Sequence, residues 1–226
     1  MIIFESHTND IEDVEERDWA NLGELLNWTV CKFDIQGGGF AMRFGHSDFN
    51  ASTIRHLHAH IQVPSKDTIQ QLDLLRRFHE QCNCPICKLK DNKTKLLLVN
   101  DRWRAANVCT PLPFHKKHIV IANKETFDDI TKLDDNNWIH LGTILQATTK
   151  NMKEGGIVIR FGDSRFHGGS PGHVYCEIME PDLSGPSRAI FLANSKTGEP
   201  ICKATFCKDR SPAEEARRKR RIKEII

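Results

Sequence analysis

The sequence has no apolar run approaching the roughly 18 to 20 residues needed to cross a bilayer. Its opening, MIIFESHTND, holds only three apolar residues after Met1. Neither a membrane anchor nor an export signal is expected from it. An excess of one charge is also missing: 32 basic residues face 30 acidic ones, a net charge of +2. That balance gives no overall electrostatic match to nucleic acid, so any phosphate binding must be local. The 8 cysteines are scattered, apart from Cys82, Cys84 and Cys87, and without an export signal they do not read as a disulfide framework. A reducing cytoplasm is the expected setting. What is present is a chain of 226 residues, 39% apolar, long enough for one large or two small globular domains.

The chain repeats itself. RFGHSDFNASTIRHLHAHIQVP (43 to 64) lies over RFGDSRFHGGSPGHVYCEIMEP (160 to 181) without a gap, at an offset of 117 that carries Arg43 onto Arg160. Upstream, WANLGELL from Trp19 resembles WIHLGTIL from Trp138 at an offset of 119. Two related units follow. Each reads as an apolar strand (MIIF; HIVIA), an amphipathic helix carrying the Trp, a Gly-rich turn, a short strand (FAMRF; IVIRF), a polar loop and a strand ending in Pro. Strand, helix, strand, strand predicts an α+β fold with antiparallel sheet. Trp19, Trp28, Trp103 and Trp138 fit core or interface positions better than a base-stacking platform.

The terminal strand of the first unit, RHLHAHIQVP, places His56, His58 and His60 at alternate positions, hence on one face, with Leu57, Ala59 and Ile61 on the other. The second copy retains the apolar face as Val174, Cys176 and Ile178, but the imidazole face becomes His173, Tyr175 and Glu177. Packing is kept in both copies while the histidine cluster exists in one, so the cluster points to chemistry rather than to structural hydrogen bonding.

The pattern His56-Leu57-His58-Ala59-His60-Ile61-Gln62, with its flanking GGGFAMRFG and NASTIRHLHAHIQVP, resembles the histidine-triad family of nucleotide hydrolases and transferases. It is most similar to the branch of diadenosine tetraphosphate hydrolases. The second unit, from CPICKLKDNKTKLLLVNDRWRA through HKKHIVIANK, resembles the same family with an altered triad. The resemblance implies that His58 attacks the α-phosphorus of a nucleotide and forms a nucleotidyl-histidine, as a neutral imidazole can. It implies support from His56 and His60, and a role for His7 with phosphate or leaving group, with Lys124 at the corresponding place in the second unit. Asn50 and Thr53 resemble the polar residues that hold phosphate. Tyr175 replaces the nucleophile in the second unit, which is expected to be silent and to pair with the first as an intrachain pseudo-dimer, each unit an antiparallel sheet with a packed helix; a homo-oligomer stays open. A uridylyl transferase is less favoured, since that branch usually has Gln where His60 stands.

The layout expected is a unit lacking the family's opening part over 1–64, a linker helix over 65–81, a second unit over 82–181, and a strand or turn with a basic helix over 182–226. The family domain normally begins with a helix and a strand pair before the strand that MIIF resembles. Three explanations stay open: a truncated coding start, another chain filling the gap, or residues 82–122 lending their hairpin to the first unit. No cofactor is required by the mechanism. Cys84 and Cys87 stand at zinc-site spacing, with Cys82 adjacent and His173 or another His as further ligands, against a plain reading as two buried or loop thiols. The basic run Arg217 to Arg221 fits a helix with charges suited to its dipole better than a nucleic-acid contact. The expected partner is a nucleotide. Two other functions are carried forward: a nucleotide-binding scaffold without turnover, and a zinc-binding protein using the histidine cluster.

Overall fold

The computed structural model describes residues 1–6, 8, 10–45, 56–63, 96–108, 115–127, 129–163 and 173–182. Along the chain these form β1 (Ile2–Ile3), α1 (Glu16–Lys32), β2 (Gly37–Gly45), β3 (His58–Gln62), β4 (Leu96–Val99), β5 (Trp103–Asn107), β6 (His115–Asn123), α2 (Asp135–Thr149), β7 (Glu154–Gly162) and β8 (Tyr175–Pro181). The strands make one sheet in the order β1-β3-β2-β7-β8-β6-β5-β4, every neighbouring pair antiparallel. The α+β antiparallel expectation holds. The linker helix expected over 65–81, the cysteines 82, 84 and 87 and the basic tail lie outside the described residues.

The helices form because each carries an apolar stripe at helical spacing. In α1 it is Trp19, Leu22, Gly23, Leu26 and Val30; in α2, Trp138, Leu141, Gly142, Leu145 and Thr149 occupy the same places at the offset of 119. Asp134 caps α2, its carboxylate accepting the Asn137 N–H at 2.7 Å, a contact that satisfies one of the helix's orphan donors. Both helices cover one face of the sheet. There Phe40, Met42, Phe44, Leu57, Ala59, Ile157, Ile159, Phe161, Cys176 and Ile178 form one core with them. The helices also interlock. A methyl group on Gly23 would fall inside the Trp138 indole, and one on Gly142 inside the Trp19 indole.

The middle of the sheet joins the two repeats. Strand β2 pairs with β7 along nine positions, from Gly37↔Gly162 through Ala41↔Val158 to Gly45↔Glu154. At the offset of 117, Ala41 corresponds to Val158, so at the centre each strand meets its own repeat counterpart.

Three expectations need correction. The glycines expected as a turn before FAMRF lie inside β2. Their lack of a side chain serves close strand approach, since a methyl on Gly38 would meet the Gln62 carbonyl oxygen. The hairpin β4–β5 pairs with β6 at the far edge from β1, so it is not lent to the first unit. Trp28 is 56% exposed, against 2% or less for Trp19, Trp103 and Trp138: it sits off the α1 stripe and touches only the edge of Phe33 among the described aromatic rings.

Candidate active site

Strand β3 lies between β1 and β2, with Ala59 opposite Ile2 on one side and Met42 on the other. Leu57 and Ala59 are fully buried against the helices, and the strict alternation of a strand then sends His58 and His60 to the opposite face. Entry into the strand is fixed by the Leu57 N–H, which donates to the Thr8 carbonyl at 2.7 Å.

The histidines are not equivalent. His58 is buried, and its Nδ1 lies 2.8 Å from the His56 carbonyl. A carbonyl can only accept, so Nδ1 carries a proton, and in the neutral ring the lone pair is on Nε2. His56 turns its own Nε2 to the Phe4 carbonyl at 2.8 Å, which makes that nitrogen a donor and ties the triad to the segment after β1. The His60 ring stands edge-on to His58, with centroids 5.1 Å apart. Burial pushes the His60 ring below its ordinary value of 6.5, and His58, Arg43 and the amino terminus push the same way. Chemically, the arrangement offers an imidazole held by the main chain through Nδ1–H, with Nε2 turned away from that contact, beside a second imidazole, His60, that burial holds neutral.

The second unit fills the same place differently. Arg160 pairs with Glu177 and lies over the Tyr175 ring, 5.8 Å from its centroid. His118 donates from Nε2 to the Glu177 carboxylate at 3.2 Å; burial first, then the Arg160 charge, hold this ring below its ordinary range, so the contact is that of a neutral imidazole. Burial also pushes the Cys176 thiol far up, out of reach of thiolate chemistry.

His7, Asn50, Thr53, Cys84 and Cys87 lie outside the described residues. The pairing of His7 with Lys124 is corrected by the main chain. The Val174 N–H donates to Phe127 just as the Leu57 N–H donates to Thr8, so Phe127 corresponds to Thr8 and Lys124 to Glu5. Among the described residues no three His, Cys, Asp or Glu side chains are grouped to hold a metal ion. An open polar cavity of about 460 Å³ lies in the second unit beside Asp101, Lys124 and His140, with none of the triad residues in its walls. Sequence reasoning missed the Phe4 carbonyl, which is brought to His56 only by sheet pairing. It also missed Arg43 and Arg160, although both copies of the RFG motif print that arginine.

No family model matches the sequence, and no curated protein matches it. Solved structures do. A uridylyltransferase superposes with a TM-score of 0.61 at 18% identity, over 96% of this chain and 71% of that one. A galt-like protein from Arabidopsis thaliana gives a TM-score of 0.59 at 15% identity over 80% of this chain and 64% of that one. The chain shares their fold. An ADP-glucose phosphorylase from Arabidopsis thaliana with bound ADP-glucose has this galt-like fold too, at a TM-score of 0.57 and 16% identity over 81% of this chain and 63% of that one. The chain thus spans less than two thirds of the galt-like protein and of the phosphorylase.

Proposed function

We propose that the protein is a histidine-triad enzyme that transfers or hydrolyses nucleoside monophosphoryl groups from a dinucleoside polyphosphate or a nucleotide conjugate. The observation that carries this reading is the His58 ring, with Nδ1–H committed to the His56 carbonyl and Nε2 left as a lone pair. The fold shared with a uridylyltransferase and an ADP-glucose phosphorylase supports it, and so does the loss of that imidazole in the second copy.

In the reaction, His58 Nε2 donates its lone pair to the α-phosphorus, forming a P–N bond as the P–O bond to the leaving group breaks. The leaving group departs with that electron pair and takes a proton from solvent. Water or another acceptor hydroxyl then attacks phosphorus, the P–N bond returns its electrons to Nε2, and the nucleoside monophosphoryl group leaves on the acceptor, whose proton goes to solvent. The His56 carbonyl holds the ring in the reactive tautomer throughout. His60, kept neutral, accompanies the nucleophile without adding a proton that would compete for the phosphate oxygens. His7, Asn50 and Thr53 belong to this reading as groups for phosphate and leaving group, and Cys84 and Cys87 as candidates for a structural zinc.

The second unit is read as silent and as the structural partner of the first, the two related by a pseudo-two-fold axis between Ala41 and Val158. The central β2–β7 register and the reciprocal Trp and Gly contacts support that pairing.

The test is to incubate the protein with diadenosine tetraphosphate and with ADP-glucose, quench in alkali, and search peptides for an AMP adduct. The adduct is expected on His58. His58→Ala is expected to abolish both adduct and turnover, a loss of about 1,000-fold or more. An adduct on another residue, or full turnover in that variant, would end the proposal.

A further inference from the structure

We propose that the first unit carries a docking site for a β-hairpin of a second polypeptide, formed by the outer edge of β1 and the flank of α1 at Asp18, Asn21 and Leu25. The inference is independent of the nucleotidyl-transfer reading and stands on a comparison of the two repeats.

The copies differ in what they leave open. At the offset of 119, Ile3 corresponds to Ala122 and Leu25 to Ile144. Ala122 and Ile144 are 1% and 2% exposed, whereas Ile3 and Leu25 are 54% and 41% exposed. In the second unit the β4–β5 hairpin lies at this place. Strand β5 pairs with β6, and both strands of the hairpin pack against α2. Ala106 of β5 clusters with Ala122 on the face of Tyr175, while Trp103 and Ala105 enter the main core on the side of the helices. At the first unit the sheet ends on β1, so among the described residues no strand stands where β5 stands in the second.

The hairpin holds the second unit largely by its main chain. Trp103 donates its indole N–H to the Asn137 carbonyl at 2.8 Å, and the Asn100 side-chain amide donates to the His140 carbonyl at 2.7 Å. The Lys124 N–H donates to the Arg102 carbonyl at 2.8 Å. The first unit has the same groups: the carbonyls of Asp18 and Asn21 on α1, and the Glu5 N–H after β1. Strand alternation turns the main chain of Ala122 and Lys124 towards β5, and so turns that of Ile3 and Glu5 outward. Phe4, between them, points its carbonyl inward to His56. Such an edge is a template for another strand.

The second unit also specifies the occupant. Trp103 lies opposite Asn123 in the β5–β6 register, and Asn123 corresponds to Phe4, which is partly buried against the main core. The partner's strand is therefore one that sets an aromatic residue against Phe4, with a second strand behind it. The chain's own hairpin is committed: Trp103 is fully buried in the second unit, so a second copy could offer it only by opening its own core. A separate polypeptide is the occupant that the fold leaves room for.

The experiment uses the full chain and, in place of the partner, a synthetic hairpin of residues 96–107, LLLVNDRWRAAN, carrying a benzophenone at its amino terminus. Affinity is read by fluorescence anisotropy and location by photocrosslinking with peptide mapping. Saturable binding at one site per chain is expected, with crosslinks falling within residues 1–32. Ile3→Lys and Leu25→Glu in the chain, and Trp103→Ala in the peptide, should each weaken binding by about tenfold or more. Both chain substitutions are at exposed places, so the fold is kept, which circular dichroism melts check. No binding, crosslinks confined to α2, or an affinity indifferent to Ile3→Lys and Leu25→Glu overturns the site. Self-association of the chain alone in sedimentation equilibrium, abolished by Ile3→Lys, would make a second copy the occupant and overturn the assignment to a separate partner.

Discussion

Each of the three described imidazoles of the first unit is set by a different influence. A main-chain carbonyl fixes His58 Nδ1 and another fixes His56 Nε2, while His60 is governed first by burial. The consequence is measurable as stability. His60 and His118 both titrate below their ordinary 6.5 in the folded protein, so the unfolded chain binds more protons in that window and folding loses free energy on acidification. Their contribution is complete above pH 6.5 and is lost as pH falls through the lower folded values. Urea melts from about pH 7.5 down to about pH 5.5 should therefore show a steady midpoint that declines below the ordinary value. His60→Asn and His118→Asn should each flatten part of the decline, Arg43 and His58 facing the first ring and Arg160 and Glu177 the second. A midpoint that rises on acidification would contradict the assignment.

At the level of helices and strands, the two faces of β3 were legible in the sequence because period-two alternation needs only local geometry, and the second copy confirmed which face packs. The apolar stripes of α1 and α2 were legible for the same reason. The glycines within those stripes were not, because their purpose is set by the partner helix: Gly23 leaves room for Trp138 and Gly142 for Trp19. Alanine is ordinarily better than glycine in a helix interior by roughly 0.5–1 kcal/mol. Here Gly23→Ala and Gly142→Ala should each destabilise, by about 1–3 kcal/mol, as overpacked cores do. Chemical denaturation of the single variants reads this directly, and stabilisation by either would show that the indoles can yield. The grip of Phe4 on His56 was likewise invisible, since residues 52 apart in the chain meet only after β1 and β3 pair. Arg160 was printed by the repeat, but an arginine in a strand says nothing of its partner until it is seen on Glu177.

Across the whole molecule, the eight strands form one sheet with one main core running under both repeats. The galt-like arrangement was only partly foreseeable: the repeat announced two units, whereas their joining through β2 and β7 depends on contacts between residues more than a hundred positions apart. This arrangement predicts how the chain behaves when cut. Fragments 1–63 and 96–226, expressed together, should co-purify and melt in a single transition, because neither can bury its share of the core alone. Two separate transitions, or fragments that part on a sizing column, would show that each half is self-sufficient.

The seam at Ala41 and Val158 has a consequence for heredity. An insertion or deletion in either strand slides a whole row of side chains past the other and turns core residues outward. The second copy is thereby held to the length and phase of the first. It can differ in the side chains on its other face, as Tyr175 and Glu177 do, but its backbone remains the ruler against which the first copy is aligned.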